Sequence, residues 1–316
     1  MDQYSFRNFT PEDVASVYNI QVAYNKYFPE TSVIPGEAYL SPEFNNGNMF
    51  CLLNEKSEIV GYSSVYPIMT EDSSDRAENV LWVEIKYDPL SADQTTLRGM
   101  LFQQLMIRVF EIQKGAVNHK TKICFTYYPS ERENADYVLS NGFTVSEGIY
   151  HMGRNLHESV SDTLSPEELE IREWKMAEDK EIDEYVQAYN IAFPEKPWSV
   201  EGIKHFMLSK LWAVGTTLTA FDQGKIAGSI MLYWDEDNNV NSDINRAYTE
   251  QIFVMPEWRG KGLATALINR GMSYLAEKGM DEAQLELRAT NENALNLYKK
   301  LGYKVTKSES IIERII

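Results

Sequence analysis

The stretch QIFVMPEWRGKGLATAL, Gln251 to Leu267, decides how this chain is read. It runs from an apolar, strand-like segment through Arg259, Gly260, Lys261 and Gly262 into an amphipathic helix. Two glycines separated by one residue let the backbone turn tightly and approach a ligand closely. A helix starting directly behind them aims its unpaired N–H groups at that ligand. Arg259 and Lys261 add positive charge. Together these features predict a site for a di- or triphosphate-like anion. The loop lacks the Gly-Lys-Ser/Thr ending of a Walker loop and the third glycine of a dinucleotide fingerprint. A nucleoside triphosphatase and a dehydrogenase are therefore disfavoured.

Outward from this loop, the pattern alternates between strand and helix. Upstream lie strand-like runs at Thr216–Asp222, Lys225–Trp234 and Tyr248–Met255, the first two joined by a hairpin turn at Gln223–Lys225. Downstream, Leu263, Leu267, Ile268, Tyr274 and Leu275 mark one face of a helix over Gly262–Lys278. A strand at Ala283–Arg288, a helix at Asn293–Leu301 stopped by Gly302, and closing strands over Lys304–Ile315 complete the half. This order predicts an α/β fold with a mixed sheet flanked by helices.

The chain contains this pattern twice. AYNKYFPE (Ala23–Glu30) returns as AYNIAFPE (Ala188–Glu195), and at the same offset Arg7 falls on Arg172 and Phe9 on Trp174. The run Ile59–Tyr66 with Gly61 matches Ile226–Tyr233 with Gly228. ENADYVLSNGF (Glu133–Phe143) echoes ENALNLYKKLGY (Glu292–Tyr303). Three matches in order predict two tandem copies, 1–156 and 171–316, joined by a polar linker over 157–170. After Tyr87 the first copy reads DPLSADQTTLRGMLFQQL, with Gly99 alone in place of the paired glycines. Aligning Gly142 with Gly302 puts Val138, not Tyr137, at the position of Tyr298. The first copy is therefore expected not to bind the same ligand.

Arg259-Gly260-Lys261-Gly262-Leu263-Ala264 behind a strand ending in Val254 resembles the acyl-CoA pyrophosphate loop of the GNAT superfamily of N-acyltransferases. About thirty residues on, Asn291, Ala294, Tyr298 and Leu301-Gly302-Tyr303 resemble that family's second motif. The resemblance covers 171–316 well and the first copy in outline. It implies two mixed sheets, each splayed in a V between its fourth and fifth strands. It also implies acetyl-CoA as cosubstrate without a metal, and direct attack of an amine on the thioester. Its pantetheine arm would pair with Ile252, Phe253 and Val254, and its pyrophosphate would sit on residues 259–264. The tandem layout is similar to that of mycothiol synthase, a likeness of architecture that does not give the substrate.

Alternation along the strand puts Glu250 on one face with Ile252 and Val254. A carboxylate there can take a proton from an amine through water, or it is a solvated strand-edge residue. Tyr298 is either a core tyrosine on the helical stripe of Ala294, Leu297 and Leu301, or a phenol that donates to the departing thiolate. Asn291 caps its helix, contacts the pantetheine arm, or does both. Phe193, Trp198 and Phe206 are core or substrate wall. Asp235–Asn245 reads as an acidic loop, either merely solvated or a rim for a cationic amine.

Composition bounds the partners. Apolar residues at 43% and charged residues at 24% exclude disorder as the main state. A formal charge of −17 repels nucleic acid and anionic membranes. Cys51 and Cys124 form no disulfide framework, and His119, His151, His157 and His205 show no ligand-like pairing. No amino-terminal leader pattern and no apolar run of about 20 residues is present, so a cytoplasmic enzyme is expected. The expected function is N-acetylation of a primary amine of a small molecule by a monomer or homodimer. The alternatives are a non-catalytic acyl-CoA-binding module and an acetyltransferase for protein amino termini or lysines.

Overall fold

The computed structural model describes residues 3–41, 44, 47–69, 78–115, 120–159, 169–194, 197–240 and 242–316. His119 and residues 160–168 of the expected linker lie outside the described residues. In chain order the elements are β1 (Tyr4–Asn8), α1 (Val14–Tyr27), β2 (Met49–Asn54), β3 (Ile59–Met69), β4 (Glu78–Tyr87), α2 (Gln94–Gly115), β5 (Lys120–Tyr127), α3 (Arg132–Ser140) and β6 (Thr144–Asn155). They continue with β7 (Glu170–Trp174), α4 (Asp179–Ala192), α5 (Val200–Met207), α6 (Lys210–Ala213), β8 (Thr216–Asp222), β9 (Lys225–Trp234) and α7 (Glu236–Val240). The last are β10 (Arg246–Val254), α8 (Leu263–Glu277), β11 (Glu282–Arg288), α9 (Glu292–Lys300) and β12 (Lys304–Ile315).

These elements form two compact units. One is Met1–Ile149 with Ser308–Ile316, and the other is Tyr150–Lys307. In the first, strands run in the order β1-β2-β3-β4-β5-β12-β6. The β4–β5 pair is parallel, whereas β1–β2, β2–β3, β3–β4 and β5–β12 are antiparallel. Leu97, Leu101, Leu105 and Val109 recur every fourth residue of α2 and are wholly buried against this sheet. In the second unit the order is β12-β6-β11-β10-β9-β8-β7, with β10–β11 parallel. The α8 stripe of Leu263, Leu267, Ile268, Met272 and Leu275 is buried in its core, while Tyr274 lies at the margin and donates to Glu173. The expected acidic loop contains the short helix α7, whose Asp237 pairs with Lys210 at 2.7 Å.

The sequence repeat has a physical counterpart at its glycines. A Cβ on Gly228 would lie 2.8 Å from the Phe253 carbonyl oxygen and 3.2 Å from Leu263 and Leu267. A Cβ on Gly61 would lie 3.0 Å from the Lys86 carbonyl oxygen and 2.9 Å from Leu101. In both copies the glycine lets the third strand lie tightly beneath the long helix.

The units divide the chain differently from the linear repeat. Residues 150–156, expected in the first copy, belong to the second unit, and 308–316 belong to the first. Six strands per copy leave the strand beside β5 or β11 to be supplied from elsewhere. In the first unit Ser310–Ile315 pair with Tyr127–Lys122 of β5, and Ile316 exchanges both backbone hydrogen bonds with Thr121. In the second unit the end of β6 lies beside β11. An unpaired strand edge in either position would bury unsatisfied backbone groups.

Ile312 is 1% exposed in the core of the first unit. Ile312→Ala is expected to destabilise that unit by about 2–5 kcal/mol. Hydrogen exchange should then show protection lost in β4 and β5. Loss confined to α8 and β9 would contradict this assignment of the tail.

Candidate active site

In the second unit β10 pairs with β11 only at Arg246–Tyr248, opposite Glu282–Gln284. Beyond Tyr248 the two strands diverge, and among the described residues no strand pairs with the β10 edge that faced β11. The opposite edge stays on β9, but with a skip: Glu250 pairs with Met231, and Phe253 with Ser229. Gln251 and Ile252 thus share one position opposite Ile230, and Gln251 takes a left-handed φ of 48°. This is a β-bulge, which re-aims the side chains that follow it.

The bulge corrects the expected face assignment. Tyr248, Glu250 and Phe253 lie on the side of α4, α5 and α6, whereas Ala247, Ile252 and Val254 pack with α8 and α9. Glu250 therefore does not share a face with Ile252 and Val254, because the extra residue breaks the period of two. Gln251 follows Glu250 onto the same side, where its side-chain oxygen accepts from Tyr189 at 2.8 Å.

The loop after β10 is built as its glycines predict. Gly260 and Gly262 have φ of 75° and 83°, a region that L side chains rarely adopt, with open space around each. Gly262 is the N-cap of α8 and supplies no side-chain cap, so the first N–H groups of the helix point outward without one. Leu263 is buried and contributes only backbone, while Ala264 is half-buried. Arg259 Nε donates to the Val254 carbonyl at 3.2 Å, and Lys261 Nζ lies 4.5 Å from the centre of the Trp258 ring. Both cations are thus held beside the start of the helix and remain exposed.

Glu250 is half-buried and accepts from the Tyr233 hydroxyl at 2.7 Å. Burial raises its carboxyl pKa, the Tyr233 hydrogen bond partly opposes this, and the charge of Glu286 raises it further. Tyr298 is 6% exposed and packs edge-on against Tyr303 at 5.5 Å. Its hydroxyl has no hydrogen-bond partner among the described residues, and its pKa is raised by burial, with contributions from Tyr303 and Glu250. The charge of Glu250 thus acts on Tyr298 although the two come from different elements. Asn291 is exposed and its side chain accepts from Ala294 N at 3.1 Å, which realises the capping reading.

Sequence reasoning missed Tyr233, Gln251, Glu286 and His151. Tyr233 was legible in principle, since it pairs directly with Tyr248 across the β9–β10 hairpin and stacks on it at 5.3 Å. An aromatic chain runs back from it through Phe206 to Trp198, and from Trp198 through Tyr189 to Phe193. His151 was not legible, because it is numbered with the first copy but lies in the second unit on β6. Its Nδ1 is 3.3 Å from Glu286. Both line a cavity of about 180 Å³ with Tyr248, Gln284, Thr306 and Lys307.

The first unit lacks these features. Its β4 follows β3 from Gly61–Tyr87 to Met69–Asn79 without a register shift, so it has no bulge. No residue from 88 to 93 has a positive φ. Val138 is 1% exposed at the position corresponding to Tyr298.

Residues 177–303 match the family model described as "Acetyltransferase (GNAT) family", so the second unit carries a GNAT acetyltransferase domain. The chain is 31% identical over 108 residues to N-alpha-acetyltransferase MAK3 of Arabidopsis thaliana, covering 34% of this chain and 53% of that protein. The match therefore spans about half the length of that relative. A GCN5-related N-acetyltransferase from Sphaerobacter thermophilus superposes with a TM-score of 0.73 at 17% identity, covering 100% of this chain and 96% of that one. A tandem GNAT protein from the clavulanic acid biosynthesis pathway gives a TM-score of 0.67 at 13% identity, covering 99% of this chain and 98% of that one. At these identities the two structures establish the fold, a tandem GNAT layout with mixed sheets.

Tyr233→Phe removes the hydrogen bond that favours the ionised form of Glu250. The carboxyl pKa should rise further, as read by carbon NMR titration of labelled glutamate. An unchanged or lower value would show that this contact does not set it.

Proposed function

We propose that the chain is an acyl-CoA-dependent N-acetyltransferase whose second unit transfers acetyl from acetyl-CoA to a primary amine by direct attack. The observation that carries this reading is the edge of β10 beyond its last pair with β11 at Tyr248, which leads through the loop of residues 255–262 to the start of α8. An extended amide-bearing arm can pair along such an edge as a strand would. A pyrophosphate at the arm's end meets the N–H groups behind Gly262 and the charges of Arg259 and Lys261.

The residues present fit this ligand. Ile252, Phe253 and Val254 lie on the stretch of β10 past its last pair with β11, where the Val254 carbonyl already accepts from Arg259, and no side chain crowds the two loop glycines. Asn291 stands at the start of α9, with its N–H groups beside the second motif. Acetyl-CoA supplies an acyl group activated as a thioester. The chain's residues then manage protons. Glu250, with its pKa raised, accepts the proton that the amine loses as its nitrogen bonds to the acyl carbon. Tyr298, with its pKa raised, keeps its phenolic proton at neutral pH and donates a hydrogen bond to the thiolate as the carbon–sulfur bond breaks.

We assign the acceptor as a small-molecule primary amine. The cavity beside Tyr248 carries Glu286, a carboxylate suited to an ammonium head. The name of the plant relative favours a second reading, the α-amino group of a peptide. That acceptor, with a pKa of about 7.7–8.0, needs less help from a base than an alkylamine at about 10.4. Assay of both acceptor classes under one condition separates the readings.

Calorimetric titration with acetyl-CoA should give one site per chain, and Gly262→Val should abolish it by excluding the left-handed φ. Binding that survives this change would sink the phosphate assignment. Tyr298→Phe should lower kcat while leaving acetyl-CoA affinity nearly unchanged. Glu250 must be ionised to act, so kcat/KM should fall as pH drops through a pKa above the ordinary carboxylate value. Glu250→Gln should remove that limb, and a limb that persists would move the base elsewhere.

A further inference from the structure

The first unit keeps a V of its own. Its β4 and β5 pair only from Glu78–Lys120 to Trp82–Cys124. Beyond that point the walls separate around a cavity of about 320 Å³, within the size range of small-molecule sites. Its lining differs in kind from a phosphate site. Tyr66, Trp82 and Tyr127 present aromatic surface, and Glu84, Lys86 and Glu131 bring charge.

The charges do not cancel. Lys86 Nζ is 2.6 Å from Glu84 Oε1 and also donates to the Ser32 carbonyl at 3.2 Å, so its charge is already engaged. Glu84 Oε2 accepts from the Tyr62 hydroxyl at 3.0 Å. Glu131 is 5% exposed and takes hydrogen bonds from neutral donors, the Tyr24 hydroxyl at 2.6 Å and Tyr128 N at 3.1 Å. Among the described residues no cation lies within ion-pair distance of it; burial raises its pKa, and the Tyr24 and Tyr128 hydrogen bonds and the more distant charge of Lys86 oppose that rise. Buried carboxylates are ordinarily paired with a cation. Its contact with Tyr128 N is a helix-capping one, but capping accounts for neither the aromatic walls nor Tyr127. That tyrosine lines the cavity at 7% exposure, and its hydroxyl has no hydrogen-bond partner among the described residues. The cavity therefore combines a surplus negative charge, aromatic faces and an unused hydroxyl.

We propose that this cavity is a binding site for a small organic ammonium ion with an apolar or aromatic body. Glu131 offsets its charge, the rings of Trp82 and Tyr66 pack on the body, and the Tyr127 hydroxyl takes up a polar group of the ligand. Aromatic rings beside a carboxylate recognise ammonium ions through the ring quadrupole and direct charge pairing. The missing paired glycines argue against a polyphosphate here. The proposal does not rest on the acetyltransferase reading, since it concerns the unit without the loop.

The test is fluorine NMR of the full chain labelled with 5-fluorotryptophan. Trp82→Phe assigns one of the six tryptophan signals by its disappearance. The probes are ethylamine, phenethylamine and tryptamine, set against 2-phenylethanol and 3-phenylpropanoate. At least one amine should shift the Trp82 signal saturably. Phenylethanol and phenylpropanoate should bind at least about tenfold more weakly than that amine, as expected on losing a hydrogen-bonded charge. Glu131→Gln should weaken the amine to a similar degree, and Tyr127→Phe should weaken it less. The comparison of amine with alcohol uses the unaltered chain, so it stands even if the Glu131 variant fails to fold. The proposal is overturned if no amine moves the Trp82 signal, or if the alcohol or the carboxylate binds as well. Calorimetric detection of acetyl-CoA has no bearing on either outcome.

Discussion

The parting of β10 from β11 after Tyr248 is the constraint on which the second unit's chemistry depends. Three residue pairs hold the strands together, and Glu250, the bulge and the glycine loop proposed for the site lie beyond them. A fully paired sheet would leave no backbone edge for an amide-bearing arm. Separation alone is not sufficient, however, because the first unit's strands also part. What distinguishes the second unit is the skip at Gln251 and Ile252 and the left-handed turns at Gly260 and Gly262. The skip turns Glu250 and Gln251 together toward the tyrosines of α4 and β9. The turns bring the helix start to the end of the free edge.

The two units differ at the positions proposed to hold the ligand and agree elsewhere. Both keep the glycine that lets the third strand lie against the long helix, since filling that space would disrupt the core of either. The first unit has a regular β4 in place of a bulged one, and Val138 in the core where the second has Tyr298. Its V is nevertheless not filled with aliphatic side chains. Glu84, Lys86 and Glu131 remain there among aromatic rings, and burying such groups is costly. Their retention is easier to explain by a ligand than by packing.

The local parts of this arrangement were legible in the sequence. Paired glycines before an apolar helical stripe require a turn and a helix start, and Asn291 three residues before Ala294 requires a cap. Such signals act over a few residues and need no knowledge of the rest of the fold. The bulge was not legible, because Gln251 carries no glycine to announce its positive φ. Alternation then misplaced Glu250 relative to Ile252 and Val254. The placement of Ser308–Ile316 beside β5 and of Tyr150–Asn155 beside β11 was not legible either. The hydrophobic pattern of a strand states which face is buried and is silent about its neighbour. For the same reason the numbering of His151 within residues 1–156 did not reveal that it clusters with the second unit.

Electrostatics completes the argument for the division of labour around β10. A chain of net charge −17 would repel a polyanion on average, yet Arg259 and Lys261 sit beside the start of α8, whose first N–H groups have no side-chain cap. Exposed charges act over about a Debye length, some 8 Å in physiological salt, so the local cations outweigh a dispersed background. On the other side of the strand, Glu250 is sheltered enough for its proton affinity to rise, and Tyr233 keeps that rise in check. Acidic surroundings favour an approaching ammonium ion, which must then lose a proton before it can attack. In the proposed reaction the groups that would attract the amine and the group that would deprotonate it are thus the same kind of residue, separated by burial. In the proposed reaction Glu286, at the cavity, would attract the ammonium head, and its charge raises the pKa of Glu250, so recognition of the acceptor would be coupled to its activation.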